Sequence, residues 1–447
     1  MSAGWMLAPA ILLAVSAGSV GEAVAATEIA EGPIVLHANI SDQWGGHTFG
    51  YLVQGETGVF WSARLYDPDS ATRTPIVGQH PAPGSSLRPH VTTISRHEPR
   101  LKGWNPPQMV RSPDGYLHVF VGVDRRTDNP NVGSGRIRYF RSERPEDISS
   151  LVDRSELLPP TPPFEDYHLR MNAGISRDGS RVALVILAVS PAGAFAFNTP
   201  VLLVGEREGH DFVFRPPVQY AEAMGLFYPQ VAATDSGVVV VGQVWDEIIE
   251  KTFSARLLHI DWDGTLQHRE DFPADGPGQH FVYDMRPANA DTWDRLILYA
   301  TAAPDAHVTA THEFWEYDAP SRRLRLLRSL EVPYGMSNAG KWLPGSDSRS
   351  VFVNNPSMGR ILFWEGDILG GGEVVRREVP AVDVLRLGYG ATSYLFAPNP
   401  LQGSIYSPDG VAFAADSFNA NRQDGASGPN SLLMWRLRLE PPVAPTR

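Results

Sequence analysis

The alternation of apolar and polar residues between Gly103 and Ser142 predicts one complete sheet unit. A short strand covers 107–112, and Pro113-Asp114-Gly115 forms a tight turn. A second strand follows over 116–123, with leucine and valine on one face, and a polar loop over 125–135 leads to a third strand over 136–141. Alternation interrupted by Asp-Gly is typical of a β-meander.

The same unit recurs along the chain at a spacing of roughly fifty residues, and no amphipathic helical pattern separates the copies. The other units turn at Gly55–Gly58, Arg177–Gly179, Asp235–Gly237, Asp291–Asp294, Gly345–Asp347 and Pro408–Gly410. Such repetition predicts an all-β protein, a seven-bladed β-propeller. The last unit ends with a strand over 432–439, and an isolated strand over 33–37 is predicted to pair with it and close the ring.

The first residues have the pattern of a secretory signal peptide. An apolar run from Trp5 to Val15 is too short to span a bilayer, and small residues lead to a cleavage position near Ala25 or Ala26. We therefore expect a signal peptide over 1–26, the propeller over 27–440 and a flexible tail over 441–447. The alternative is an uncleaved anchor, because no Lys or Arg precedes the apolar run. Cleavage would give a periplasmic or extracellular protein with no membrane insertion.

The charge pattern limits the partners. The formal net charge is −12, and no run of Lys or Arg occurs, which argues against nucleic acid. A few focused Arg residues can still bind an anionic oligo- or polysaccharide. The chain has no cysteine, so thiolate chemistry and disulfides are excluded. We expect a monomer.

In a propeller, ligands bind where the loops before the first strands and after the second strands converge. The residues expected there combine aromatic, amide and charged side chains, which suits a sugar. For substrate binding they are Trp104, Asn105, Asp124, Arg125, Asn172, Trp245 and Asp246, and for catalysis Tyr228, His168, Arg170 and His280. In the alternative interpretation, many of them only satisfy backbone groups at the strand ends.

Three kinds of chemistry remain open from the residues. β-Elimination from a uronate needs a cation for the carboxylate, a base and an acid. Arg170, Arg125 or Arg126 could supply the cation, and Tyr228 with His168 or His280 the base and the acid. A glycosidase needs two facing carboxylates, and several acidic residues offer pairs. A structural Ca²⁺ or Mn²⁺ could use His168, His280, Asn338 and Asp416, but no spacing motif requires a metal or another cofactor.

Two runs carry a resemblance to a known family. NPPQMVRSPDGYLHVFVG with the later RYFRSERPEDI, and YPQVAATDSGVVVVGQV, resemble the BNR-repeat propellers that include ulvan lyases and rhamnosyl-glucuronate-acting glycosidases. The resemblance covers roughly 104–245 and implies a seven-bladed propeller acting on uronate-containing glycans.

The matching positions differ in chemistry. The resemblance implies a functional role for Tyr228, which the motif retains. This chain has Trp104 and Asp124-Arg125 where family members carry histidines, and Trp245 where the lyases carry an arginine. The sequence therefore favours a polysaccharide lyase or glycosidase, with a glycan-binding, lectin-like propeller or a protein-interaction propeller as the alternative.

Overall fold

The computed structural model describes residues 28–40, 51–66, 74–94, 106–126, 133–160, 164–165, 171–188, 199–223, 225–245, 253–272, 279–303, 310–332, 341–344, 350–357, 360–367, 369–378, 392–405, 411–418 and 430–438. Within these ranges the protein is all-β, with 3-10 turns at Ile148–Ser150, Ser155–Leu157, Ala221–Ala223 and Pro400–Gln402. The signal peptide and the tail expected from the sequence lie outside the described residues.

The described strands form antiparallel sheets, numbered here in chain order. The N-terminal strand is β1 (Glu28–Ile40). Sheet 1 contains β2 (Leu52–Gln54), β3 (Gly58–Arg64), β4 (Pro75–Pro81) and β5 (His90–Thr93). Sheet 2 contains β6 (Gln108–Arg111), β7 (Leu117–Arg126), β8 (Gly133–Ser142), β9 (Leu151–Asp153) and β10 (Phe164–Glu165). Sheet 3 contains β11 (Met171–Ile175), β12 (Arg181–Ala188), β13 (Thr199–Glu208), β14 (Asp211–Phe214) and β15 (Val218–Gln219).

The second half of the chain repeats this arrangement. Sheet 4 contains β16 (Leu226–Ala233), β17 (Gly237–Trp245), β18 (Phe253–Asp261) and β19 (Leu266–Asp271). Sheet 5 contains β20 (Gln279–Pro287), β21 (Arg295–Ala303), β22 (Ala310–Asp318) and β23 (Arg323–Val332). Sheet 6 contains β24 (Lys341–Pro344), β25 (Ser350–Ser357), β26 (Arg360–Gly366) and β27 (Val374–Glu378). Sheet 7 contains β28 (Thr392–Phe396), β29 (Val411–Phe418) and β30 (Asn430–Arg438), with β1 beside β30.

Each sheet is a meander in which strands that follow one another in the chain pair antiparallel. In sheet 2, β9 and β10 both pair with β8, and in sheet 3, β14 and β15 both pair with β13. This confirms the prediction of an all-β protein built from four-stranded meanders. The polar loop predicted over 125–135 is shorter than expected, because β7 and β8 continue to pair as far as Arg126 and Gly133.

Sheets 1 to 4 are buried on both faces, because each of them packs between two others. In β17, Val239 and Val241 join the apolar cluster shared with sheet 5, while Val238 and Val240 join the cluster shared with sheet 3. Uninterrupted valine runs are typical of strands covered on both sides. Comparable clusters lie between sheets 1 and 2, between sheets 2 and 3, and between sheets 7 and 1.

The first strands of neighbouring sheets contact one another along the series β2, β6, β11, β16, β20 and β24. Sheet 6 then contacts β28, and sheet 7 contacts β2. Within sheet 7, the N-terminal strand β1 pairs with the last strand, β30: Val35 lies opposite Leu433 and Ile34 opposite Met434.

The turns between first and second strands are fixed by side-chain hydrogen bonds. Ser112 Oγ donates to Asp114 Oδ1 at 2.6 Å, and Ser176 Oγ donates to Asp178 Oδ1 at 2.7 Å. Gly115 and Gly179 follow with φ of 88° and 70°, a left-handed conformation that glycine adopts without strain. Asp114 also pairs with Arg207 of the next sheet, so these turns join neighbouring sheets.

Among the described residues, no helix has the length and apolar character needed to cross a membrane.

Candidate functional site

Two predicted catalytic residues lie at corresponding ends of adjacent first strands. Tyr228 is near the start of β16, and His280 is near the start of β20. The strands are joined two residues further on, where Gln230 Nε2 donates to the Val282 carbonyl at 2.7 Å. We call this end of the sheets the upper face: first strands begin there and second strands end there. Tyr228 and His280 therefore share the upper face.

Tyr228 has an unusual backbone. Its φ is 49°, and it lies where the pairing of β16 with β17 shifts between Phe227 and Gln230. A bulky side chain in the left-handed region is uncommon, and such strain often accompanies a functional position. The side chain is half-buried.

His280 contacts a carboxylate that the sequence did not reveal. Its Nε2 lies 3.3 Å from Oε2 of Glu313, and both side chains are largely buried. The register explains the contact: His280 pairs with Ala302 of β21, and Ala300 pairs with Glu313 of β22. Because the intervening residues are alanines, the two polar side chains can meet above β21.

The carboxylate of Glu313 is held from a second side. The Trp315 indole Nε1 donates to the same oxygen, Oε2, at 2.9 Å, and the Trp315 ring packs edge-on against Phe272. Trp315 therefore holds Oε2 of Glu313 in place beside Nε2 of His280. The other ring nitrogen of His280, Nδ1, is buried and has no hydrogen-bond partner among the described residues.

Asn172, predicted to bind substrate, is fully buried. Its Nδ2 donates to Gln108 Oε1 at 3.1 Å, and its Oδ1 accepts from Val231 N at 3.0 Å, so it joins sheets 2, 3 and 4. Gln108, Asn172 and Gln230 each stand seven residues before a turn glycine. We call these three side chains the amide belt. A substrate contact for Asn172 stays a prediction.

A cluster of charged residues lies between the first strands of sheets 5 and 6. Arg286 Nε donates to Asp284 Oδ2 at 2.9 Å, and both side chains are buried. Lys341 is buried beside them. Burial lowers the pKa of Lys341 to about 8; the Asp284 charge opposes this shift and the Arg286 charge adds to it.

The remaining predicted residues fall into two groups. Trp104, Asn105, His168, Arg170 and Asp246 lie outside the described residues, as do the possible metal ligands Asn338 and, for its side chain, Asp416. Asp124, Arg125 and Trp245 are described by their backbone only. They end β7 and β17, the second strands of their sheets, which places them at the upper face with Tyr228 and His280. Their roles stay predictions.

No group of three or more His, Asp or Glu side chains suited to a metal occurs within the described part of the chain.

Comparisons with known proteins give distant likenesses. No protein-family model and no curated protein matches the sequence. Among solved structures, the GH93 α-L-arabinofuranosidase of Fusarium graminearum in complex with arabinobiose is 11% identical, with a TM-score of 0.46 over 73% of this chain and 91% of that one. The polysaccharide lyase Uly1 is 9% identical, with a TM-score of 0.46 over 87% of this chain and 89% of that one.

A third likeness is to the β-propeller domain of the Trilobed protease from Pyrococcus furiosus. It is 11% identical, with a TM-score of 0.43 over 87% of this chain and 93% of that one. At these identities and TM-scores, the likenesses assign no activity to this chain, and the BNR-repeat family stays a resemblance of motifs.

Proposed function

We propose that this chain is a carbohydrate-active β-propeller that cleaves uronate-containing glycans by β-elimination at its upper face. The contact between His280 and Glu313 carries the proposal. In this contact a histidine lies beside a carboxylate, on the strand next to that of Tyr228, at the end of the sheets where the sequence predicts aromatic and charged residues. An oriented histidine is the most common protein group for moving protons near neutral pH.

The fold that would build this site is a closed ring of seven blades. The succession of first-strand contacts supports it, as does the apolar cluster shared by sheets 7 and 1. β1 would be the outer strand that closes the ring, since it pairs with β30 from Glu28 to Ile40. In such a ring, the first strands line a central channel and the upper face is its mouth.

In this proposal His280 is the base. The Glu313 carboxyl oxygen beside Nε2 favours a proton on that nitrogen and leaves the lone pair on Nδ1. Nδ1 is also the nitrogen that has no hydrogen-bond partner among the described residues. A neutral imidazole fixed in this tautomer can accept a proton from a substrate. Because Nδ1 is buried, the proposal requires that glycan binding uncover it.

The reaction is a β-elimination. Nδ1 of His280 takes the C5 proton of the uronate, the electron pair forms the C4–C5 double bond, and the C4–O bond to the neighbouring sugar breaks. The Tyr228 hydroxyl protonates the leaving oxygen. Arg125 or Arg170 would neutralise the uronate carboxylate and so acidify C5, and Trp104 and Trp245 would stack on sugar rings.

The second candidate function is glycan binding without cleavage. Trp245 favours it, because an aromatic residue at the end of β17 stands where the resembling lyases carry the arginine that neutralises the carboxylate. Aromatic platforms bind sugars without supplying proton transfer. In either case the ligand would be an anionic oligo- or polysaccharide met outside the cytoplasm, as the signal-like first residues suggest.

A screen on uronate polysaccharides tests the proposal. Elimination would give ultraviolet absorbance from the new double bond, whereas hydrolysis would give reducing sugar without it. On an active substrate, His280→Gln should lower kcat by about 10²–10⁴-fold, while His268→Gln on the outer strand β19 should not. Binding of a glycan with neither product would support the second function, and full activity of His280→Gln would refute the assigned base.

A further inference from the structure

The segment from Pro398 to Ile405 joins β28 to β29 within sheet 7, yet its contacts lie on other sheets. Ile405 N donates to the Gln54 carbonyl of sheet 1 at 2.9 Å. Gln402 Nε2 donates to the Ala173 carbonyl of sheet 3 at 3.0 Å. Asn399 Nδ2 donates to the Met285 carbonyl of sheet 5 at 2.7 Å. The 3-10 turn inside the segment also contacts β6 of sheet 2 and β16 of sheet 4.

The segment is held rigidly. Asn399 Oδ1 accepts from Leu401 N at 3.0 Å and caps the 3-10 turn, and Gly403 ends the turn with a φ of 75°. Arg286 Nη1 donates to the Pro398 carbonyl at 2.8 Å, which connects the segment to the charged cluster of sheet 5. Asn399, Leu401 and Gln402 are fully or almost fully buried.

Its position is away from the upper face. Gln54 and Arg111 are the last residues of β2 and β6, and Met285 lies five residues after His280 on β20. Five strand residues span about 16 Å. Between these levels lies the amide belt, whose three side chains are fully buried.

We propose that Pro398–Ile405 is an internal plug that closes the central channel, so that a ligand reaches the site only from the upper face. The statement about the ligand rests on the proposed function, because the ligand meant is the glycan. A glycan would then bind across the upper face or by its end, and no chain would thread through the ring.

The chain contains no cysteine, so single introduced thiols report access cleanly. Ser404, in the plug, is buried, and Ser86, on the surface, is exposed. In the native protein Ser404→Cys should react with a soluble thiol reagent about 10³-fold or more slower than Ser86→Cys, because reaction requires local opening. In denaturant the two rates should be equal. Equal rates in the native protein would overturn the proposal.

A glycine pair tests how the plug is held. A Cβ at Gly403 would lie 1.8 Å from the Arg111 carbonyl oxygen, whereas a Cβ at Gly84, at the same φ of 75°, would meet no atom within 4 Å. Added to Ser404→Cys, Gly403→Ala should raise the labelling rate by about tenfold or more, and Gly84→Ala should leave it unchanged. If Gly403→Ala does not fold, Asn399→Asp, which replaces the donor to Met285 by a carboxylate, serves instead.

No acceleration by either plug variant would show that these contacts do not close the channel, and would overturn the proposal. Labelling requires no glycan, so a failure of the proposed function leaves this result unaffected. If a glycan is found, its saturating addition should leave the Ser404→Cys rate of the Gly403→Ala variant unchanged. If longer glycan chains slow the labelling of Ser404→Cys in this variant, they thread through the ring, and the inference that a glycan binds only at the upper face is overturned.

Discussion

Gln230 donates its side-chain amide to the Val282 carbonyl at 2.7 Å and so ties the strand of Tyr228 to the strand of His280. Both partners are buried, so loss of the donor would leave a carbonyl without its partner. Gln230→Leu should therefore lower the free energy of unfolding by about 1–3 kcal/mol. Chemical denaturation measures this, with Gln219→Leu on the exposed strand β15 as the control. Equal stabilities of the two variants would contradict the role of the amide belt.

Glu313→Gln tests the orientation of His280. The amide keeps the shape of the side chain but removes the charge that favours a proton on Nε2. We expect kcat on a cleaved glycan to fall by about 10²-fold or more, with KM little changed, and the ¹⁵N signals of His280 to report a mixture of tautomers.

Glu316→Gln is the matched control for that experiment. Glu316 lies on the same strand and is also largely buried, but it pairs with Arg295 and Arg325 instead of a histidine. The Glu316→Gln variant should have a lower free energy of unfolding and an unchanged kcat. A tautomer of His280 that is unchanged in Glu313→Gln would refute the orienting role.

The all-β meanders followed from local signals, whereas the contact between His280 and Glu313 did not. Turn glycines such as Gly179 and the valine run of β17 act within a few residues, so their pattern alone predicts the strands. Glu313 gave no such signal, because it meets His280 across a strand and through two alanines that look like ordinary core residues. The only sign of Glu313 in the sequence is that a charged residue stands two positions before Trp315, on the face of β22 that otherwise carries the apolar residues Trp315 and Tyr317.

The plug shows the same limit. A turn was predicted at 408–410, which lies outside the described residues, but nothing near Asn399 indicates that this segment crosses to other sheets. Its partners, the carbonyls of Ala173 and Met285, are backbone atoms that any sequence would provide. Contacts of this kind depend on the positions of the sheets relative to one another, and the residue pattern along a single sheet does not determine them.

Acid should destabilise the protein through buried histidines. His118 bonds to the Tyr139 hydroxyl at 2.8 Å and His312 bonds to Tyr299, and burial lowers the pKa of each histidine to about 3 from an ordinary value of 6.5. Between these values the unfolded chain binds more protons, so stability is complete above pH 6.5 and is lost as the pH falls toward 3.

For one such histidine the loss between about pH 6.5 and about pH 4 is about 3 kcal/mol. Denaturation of His312→Gln across this range should therefore show a shallower dependence on pH than the unaltered protein. An identical slope for His312→Gln and the unaltered protein would show that this buried histidine does not govern acid unfolding.

Glu146 joins sheet 2 to the first turn of sheet 1. Its carboxylate accepts from the backbone N–H groups of Glu56 and Thr57 and from Arg111 Nε at 2.6 Å. Burial alone would raise the pKa of Glu146, but the hydrogen bonds from Thr57 and Glu56 and the Arg111 charge hold it below its usual value. Glu146→Gln should cost about 3 kcal/mol of unfolding free energy, because it removes the buried charge that pairs with the buried Arg111 guanidinium and leaves only the exposed Glu56 near it. Glu143→Gln, three residues away and exposed, should cost almost nothing in the same thermal unfolding assay.

The last prediction concerns the strand that would close the ring. β1 covers the outer edge of β30, with Val35 opposite Leu433 and Ile34 opposite Met434. A chain that starts after Ile40 would expose that edge and the apolar residues beside it, and an uncovered edge pairs readily with other chains. We expect this truncated protein to aggregate, whereas a chain that starts at Thr27 stays soluble and monodisperse in size-exclusion chromatography. If both chains are monomeric and unfold at the same temperature, β1 contributes nothing to closure. Separate addition of a peptide with the β1 sequence should restore solubility to the truncated chain, because the missing strand can then be supplied in trans.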